Sequence, residues 1–139
     1  MQSKKQKNRP GAGIIVVRYF NGCPKVLGLM DHDAFDLPKG SIEVGENIIQ
    51  AALRETREES NITDLRFPWG LKHIALNNLT LFIALTSEDA LIKPNPKTGN
   101  FEHKFSEWLQ FDEQYFKPRL QPAIKWAKAI VNGGSFVDL

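Results

Sequence analysis

The apolar positions change spacing along the chain, and each change predicts an element. Residues 13–20 run apolar almost without a break and are rich in β-branched side chains, Ile14-Ile15-Val16-Val17, which predicts a buried strand. Asn21-Gly22 is a hairpin turn signal, displaced slightly by Cys23-Pro24, and Lys25–Met30 reads as the returning strand. A polar loop, Asp31–Ala34, follows. From 47 to 60 the spacing becomes helical. No Gly or Pro interrupts that stretch, and Ile48, Ile49, Ala52, Leu53 and Thr56 form one apolar stripe. Asn61 should end the helix, because Asn is the best non-Gly residue for the left-handed position just past a helix end.

Strand-type segments resume at Thr63–Phe67, Lys72–Leu76 and Leu79–Leu85, with a turn at Asn77-Asn78 between the last two. Residues 94–100 are a loop by composition, and a short strand is expected at Glu107–Phe111. A second helix should run from Pro122 to Val131, with Ile124, Ala127 and Val131 apolar, and stop at Gly133-Gly134. Strands, a helix, more strands and a closing helix make a mixed α/β arrangement with a sheet between helices. No internal repeat or low-complexity block is present.

Composition narrows the function classes. The chain has 139 residues, 42% apolar and 24% charged, which suits one soluble globular domain and excludes a disordered or collagen-like chain. Cys23 is the one cysteine, so an intramolecular disulfide and a multi-thiolate zinc site are both excluded. A net charge of +2 does not by itself indicate a nucleic-acid binder. Lys4, Lys5, Lys7 and Arg9 nevertheless crowd the start, so residues 1–10 read as a basic flexible tail and residues 11–139 as the domain. No segment approaches the ~20 apolar residues of a membrane helix. The run Gly13–Val17 is too short for a signal-peptide core, and a cytoplasmic protein without membrane partners is the expectation.

The chemistry is concentrated between Gly40 and Ile62, where Glu43, Glu46, Glu55, Glu58 and Glu59 lie. Residues 55, 58 and 59 are three and four apart on one helix, so their side chains project over one side. Like charges at that spacing weaken a helix unless Arg54 and Arg57 compensate or a divalent cation neutralises the face. Clustered carboxylates on a rigid element are the hard oxygen donors that Mg²⁺ prefers. The preceding Pro38-Lys39-Gly40 adds a lysine able to meet phosphate as a point charge.

These residues resemble the Nudix box. Gly40, five residues, Glu46, seven residues and Arg54-Glu55-Thr56-Arg57-Glu58-Glu59-Ser60-Asn61-Ile62 match every charged position of that signature. Thr56 replaces the usual bulky aliphatic and Asn61 the usual Gly; neither change removes a ligand. The resemblance continues through Gly11–Val17, Asp36–Gly40 and the late run Glu102-His103-Lys104-Phe105-Ser106-Glu107-Trp108-Leu109. That run and Thr56 are most similar to the asymmetric diadenosine tetraphosphate hydrolase branch, with the RNA 5′-pyrophosphohydrolases next.

The resemblance implies a single α/β/α sandwich with a central mixed sheet and a metal-dependent pyrophosphohydrolase using Mg²⁺ or Mn²⁺. The implied metal ligands are Glu55, Glu58, Glu59 and Glu102, together with the Lys39 carbonyl. Glu58 and Glu59 are central to catalysis, Glu102 is a further ligand or general base, and Glu46 and Arg54 are an orienting pair. The Lys39 side chain is an implied phosphate contact, His103 a phosphate or base contact, and Phe105 an adenine stacker. The implied substrate is diadenosine tetraphosphate, cleaved to ATP and AMP. A 5′-triphosphorylated or capped RNA end is the alternative, then ADP-ribose or an oxidised nucleotide, then a non-catalytic nucleotide sensor. Trp108, Tyr19, Tyr115, Trp69 and Trp126 are assigned to packing. His32, His73 and Cys23 carry no site, and Lys117-Pro118-Arg119 is a basic spot that could help to hold RNA.

Overall fold

The apolar run near the N-terminus becomes β1, Gly11–Phe20, and the rest of the sheet is arranged around it. The structure, a computed structural model, describes residues 9–133. Lys4, Lys5, Lys7 and Gly134 lie outside the described residues, so the basic tail is represented only by Arg9 and Pro10. These two bond to Ile42, the Arg9 guanidinium to its carbonyl at 3.2 Å and the Pro10 carbonyl to its N–H at 3.0 Å.

β2, Cys23–Met30, returns antiparallel to β1 with Phe20 opposite Cys23. Asn21 and Gly22, at φ 52° and 81°, make the two-residue turn, and Cys23-Pro24 does not displace it. β3 (Phe35–Asp36) pairs with the end of β2, and β4 (Lys39–Ser41) pairs with Gly11–Gly13 of β1. β5 (His73–Leu76) and β6 (Leu79–Leu85) form a hairpin turned at Asn77, which has φ 53°. β6 lies parallel to β1, and β7 (Ser106–Leu109) closes against β2. The sheet is therefore mixed. The first helix, α1, spans Ile48–Ser60, and the second, α2, spans Gln121–Gly133.

β6 occupies one edge of β1 from Gly11 to Val17, so β4 and β2 must share the other edge in succession. That exchange brings Lys39–Ser41 beside the start of β1. The Ile14 N–H, donating to the Pro38 carbonyl at 3.1 Å, continues the contact. Gly13 lets the two backbones approach this closely: a Cβ there would run into the Pro38 carbonyl and the Lys39 backbone. Gly13→Ala is expected to cost about 1–3 kcal/mol by forcing backbone apart. Urea unfolding checks this, and a loss below the error of the method would show that the contact is slack.

Both faces of the sheet are covered. Ile14 and Val16 of β1 join Leu27, Leu29, Phe82 and Ala84 under Ala51 and Ala52 of α1. Ile15 and Val17 join Leu81, Ile83 and Phe116 under Ala123, Ile124 and Ala127 of α2. Burial on both faces is why β1 reads as a continuous apolar run rather than an alternating one. Among the described residues no helix is long and apolar enough to cross a membrane.

Several sequence expectations shift. Thr63–Phe67 is not a strand: one bridge pairs Arg66 with Leu85. The Glu88 carboxylate accepts the N–H groups of Thr63 and Asp64 at 2.8 and 2.7 Å, so a side chain satisfies donors that a ladder would otherwise use. β7 begins and ends earlier than expected, and α2 is longer at both ends. The buried stripe of α1 is Ala51, Ala52, Thr56 and Ser60, while Ile48 is 44% exposed. Small residues face the sheet, and the hydroxyls of Thr56 and Ser60 donate to the carbonyls four residues back at 2.8 and 2.6 Å. Trp69 is fully buried, and Tyr19, Trp108 and Trp126 pack partly buried against the core. Tyr115 is exposed and takes no place in it, because it lies in a short 3-10 turn, Glu113–Tyr115, outside the layers.

Candidate active site

α1 begins and ends under strong local control, and this fixes where its carboxylates stand. Asn47 caps the start: its Oδ1 accepts the Gln50 N–H at 2.9 Å, and Gln50 Oε1 accepts the Asn47 N–H at 3.0 Å. At the other end Asn61 takes the expected left-handed conformation, φ 62° and ψ 14°, and its N–H donates to the Arg57 carbonyl at 2.9 Å.

Arg54 is the hub of the face between these caps. Its Nε and Nη2 donate to the two oxygens of Glu46 at 2.7 and 3.0 Å, a two-pronged pairing. Nη2 also donates to the Ser41 carbonyl at 2.8 Å, and Nη1 to Glu55 at 2.8 Å and to both Glu58 oxygens at 3.3 Å. The guanidinium thus clamps the 41–46 loop onto the helix and holds Glu55 and Glu58 together. The Arg54 hydrogen bonds and the Glu43 N–H, which donates to Glu46 Oε1 at 2.9 Å, hold the Glu46 carboxyl below the usual range.

Glu55 lies over Gly40, where any Cβ would collide with its carboxylate. This close approach is a physical reason for glycine at the first position of the motif. Burial raises the Glu55 carboxyl, and the charges of Glu58 and Glu102 add to that against the pull of Arg54. Glu59 is more deeply placed and accepts the Lys39 N–H at 3.1 Å. Burial, with the charges of Glu102 and Glu55, pushes it up to about 9. Glu102, at the end of the 91–102 loop, lines the same cavity of about 260 Å³ as Glu55, Glu58 and Glu59. Its carboxylate meets the Asn95 amide at 3.4 Å.

Of the substrate residues named from the sequence, His103 lines this cavity, and Lys39 and Phe105 are not among its lining. The Lys39 ammonium is engaged by Asp36 at 3.0 Å, with His103 Nε2 at 3.6 Å from the same carboxylate. Phe105 is 44% exposed and meets Phe35 edge-on at 6.0 Å, away from Glu55 and Glu59 in the contacts it makes. Asp36 was not singled out by sequence reasoning, yet it is buried and central to a charge network. Burial would raise its carboxyl, but His103, Lys39 and the Leu37 N–H together hold it well below the usual range. Lys117 joins Asp36 at 3.4 Å and Asp31 at 2.6 Å, so it ties loops together rather than standing free. The apolar neighbours of Asp36 in sequence, Phe35 and Leu37, were the available signal of burial. Also missed were Lys93 and Lys97, which line the carboxylate cavity from the 91–102 loop. Nothing in their spacing marked them.

Among the described residues, no group of three or more acidic, histidine or cysteine side chains is arranged as it stands to hold a metal ion. Arg54 draws Glu55 and Glu58 toward itself, and Glu59 is turned onto the Lys39 N–H. The donor chemistry still fits a hard divalent cation: the carboxylates of Glu43, Glu55, Glu58, Glu59 and Glu102 share one cavity, and those of Glu55 and Glu59 are raised by burial and mutual repulsion, which a cation would relieve. A group held near 9 is protonated at neutral pH in the metal-free fold. Binding of Mg²⁺ is therefore expected to release about one proton and, below pH 9, to strengthen by up to about tenfold for each unit that the pH rises. Calorimetry in two buffers of different ionisation heat reads that proton, and zero release would contradict the assignment of Glu59. The same shift has the opposite sign for the metal-free fold. Its contribution from Glu59 is complete below the unfolded carboxylate range and is lost as pH rises through 9.

Comparison with known proteins adds to this geometry. The sequence model described as NUDIX domain matches residues 7–128. No curated protein matches. Among solved structures, a C. elegans Ap4A hydrolase binary complex is similar at TM-score 0.71 and 22% identity, covering 90% of this chain and 98% of that one. RenU, a Nudix hydrolase from M. smegmatis, gives TM-score 0.67 and 16% identity, covering 95% and 91%. The NUDIX domain of Shewanella oneidensis NrtR, complexed with ADP ribose, gives 0.63 and 16%, covering 89% and 88%. At these identities the likeness is one of fold.

Proposed function

The chain belongs to the NUDIX domain family, as a pyrophosphohydrolase of nucleoside diphosphate derivatives, and from that premise we propose that it cleaves diadenosine tetraphosphate to ATP and AMP. One observation carries the choice: the cavity brings the α1 carboxylates together with two lysines of the 91–102 loop, a pairing suited to a metal-neutralised, multiply charged phosphate chain. The late Glu102–Leu109 run and Thr56, which resemble the dinucleotide hydrolase branch, support it.

Glu55, Glu58, Glu59 and Glu102, with the Lys39 carbonyl, would hold Mg²⁺ or Mn²⁺. Such an ion would neutralise phosphate charge, polarise the phosphoryl oxygens and make water more acidic. The rest of the chemistry is positioning. Arg54 and Glu46 fix the 41–46 loop against α1, and Arg54 holds Glu55 and Glu58 together on the cavity wall. Glu102, on the cavity wall, serves either as a further ligand or as the base that takes the proton when one water adds across one anhydride bond. The buried Asp36 holds Lys39 and His103 near the entrance to β4. Positioned donors and acceptors of this kind supply most of the acceleration in phosphoryl transfer.

The test is a panel of diadenosine tetraphosphate, 5′-triphosphorylated RNA, ADP-ribose and mixed nucleoside triphosphates, with Mg²⁺ and separately Mn²⁺. ATP plus AMP, formed well above the other rates, supports the proposal. Faster phosphate or pyrophosphate release from RNA would replace it with 5′-end processing.

A further inference from the structure

Asn61, which stands where the motif usually has glycine, does more than end α1. Its side-chain Nδ2 donates to the Leu91 carbonyl at 2.8 Å, and the Leu91 N–H donates to the Ser60 carbonyl at 2.8 Å. Two hydrogen bonds thus fasten the start of the 91–102 loop to the residues directly after Glu58 and Glu59. The loop is then closed on itself. The Asn95 N–H donates to the Asn100 carbonyl at 2.8 Å, the Gly99 N–H to the Asn95 carbonyl at 2.7 Å, and the Lys97 N–H to Asn95 Oδ1 at 2.8 Å. Gly99, at φ 74°, supplies the left-handed residue the turn requires. The Asn95 amide also reaches Glu102, so the loop is tied to the end of α1 at its start and to a cavity carboxylate at its close. Lys93 and Lys97 line the cavity from this loop, and neither has an ion-pair partner among the described residues.

We propose that the 91–102 loop grips the outer part of a phosphate chain through Lys93 and Lys97, and that Asn61 is the positioning residue that holds the loop beside the α1 carboxylates. This rests on the reading of the cavity as a polyphosphate site. A diphosphate would lie on the carboxylate side, where a metal ion neutralises it. Each further phosphate adds negative charge within reach of two ammonium groups held on a closed loop, so longer chains bind more tightly. A glycine at 61 would cap the helix equally well but could not hold the loop.

Binding of inorganic pyrophosphate and tripolyphosphate to the full chain, measured by calorimetry with Ca²⁺, tests this without requiring turnover. The wild type is expected to bind tripolyphosphate about tenfold more tightly than pyrophosphate, the worth of a charge-assisted contact. Lys93→Ala/Lys97→Ala should reduce that margin to about twofold or less. Asn61→Gly keeps the cap and Asn61→Asp keeps the size, but neither can donate to Leu91. Both should narrow the margin and speed hydrogen exchange of the 91–100 amides, while in Asn61→Gly, which adds no charge at the helix end, α1 exchange and the melting temperature stay put. In the active enzyme the loss should fall on KM rather than kcat. A wild type without the margin, a double variant that keeps it, or Asn61 variants with unchanged exchange would overturn the proposal. Absence of diadenosine tetraphosphate cleavage alongside an intact margin would sink the substrate assignment and leave the grip standing.

Discussion

Glu58→Gln is expected to leave the protein folded while turnover falls by about a thousandfold or more, the scale of removing a principal charge-stabilising group. The side chain is 49% exposed, and among the described residues its hydrogen bonds are the 3.3 Å contacts to Arg54. Surface ion pairs of that kind contribute little, so the melting temperature should move by no more than a degree or two, roughly 0.5 kcal/mol. Its importance lies elsewhere: it is the most accessible of the α1 carboxylates on the cavity and the one with least structural work. An amide keeps the shape and removes the charge. Circular dichroism with steady-state rates checks both halves. Near-normal turnover in a folded Glu58→Gln would remove the α1 carboxylates from the mechanism.

Arg54→Met is the second large effect. The guanidinium meets Glu46, Glu55, Glu58 and the Ser41 carbonyl at once, and the three carboxylates, Glu46 foremost, raise its own pKa. Without it, Glu43, Glu46, Glu55 and Glu58 repel one another with no cation among them, and the 41–46 loop loses its clamp. Activity is expected to fall about 10–100-fold or more, the usual penalty for losing a residue that orients ligands. Unlike Glu58→Gln, this variant should also lose about 1–2 kcal/mol of stability and become more open to proteolysis within 41–46. Arg54→Lys keeps the charge but not the two-pronged geometry, so it should restore stability more than rate. Equal recovery of both would mean that charge alone, and not the fork, holds the site.

The contrast between these variants reflects how much of the site was legible in the sequence. Glu58 and Arg54 could be read because α1 is regular: once its period is recognised, three- and four-residue spacing places the side chains. Asn61 was legible for the same reason, since few residues take a left-handed end. Placement across the fold was not. β4 is three residues long and has no pattern of its own; it exists because β1 exchanges partners along one edge. The Lys39 ammonium could have faced phosphate by sequence alone, but a buried Asp36 within reach claims it. The segment 63–67 has strand composition, and Glu88, from a distant loop, satisfies its donors instead. Lys93 and Lys97 sit in a loop whose course depends on a side chain 30 residues away from Leu91 in sequence. Local pattern shows what a segment can form, and long-range side-chain hydrogen bonds decide among the options.

The central claim is that the carboxylate face of α1, with a divalent cation, hydrolyses a dinucleoside polyphosphate. Its most direct test is chromatography of products from diadenosine tetraphosphate, with wild type and Glu58→Gln side by side, in Mg²⁺ and in excess chelator. The expected result is equal amounts of ATP and AMP from the wild type in Mg²⁺ and almost none in the other three tubes. Equal cleavage by wild type and variant, or cleavage that survives the chelator, would contradict it.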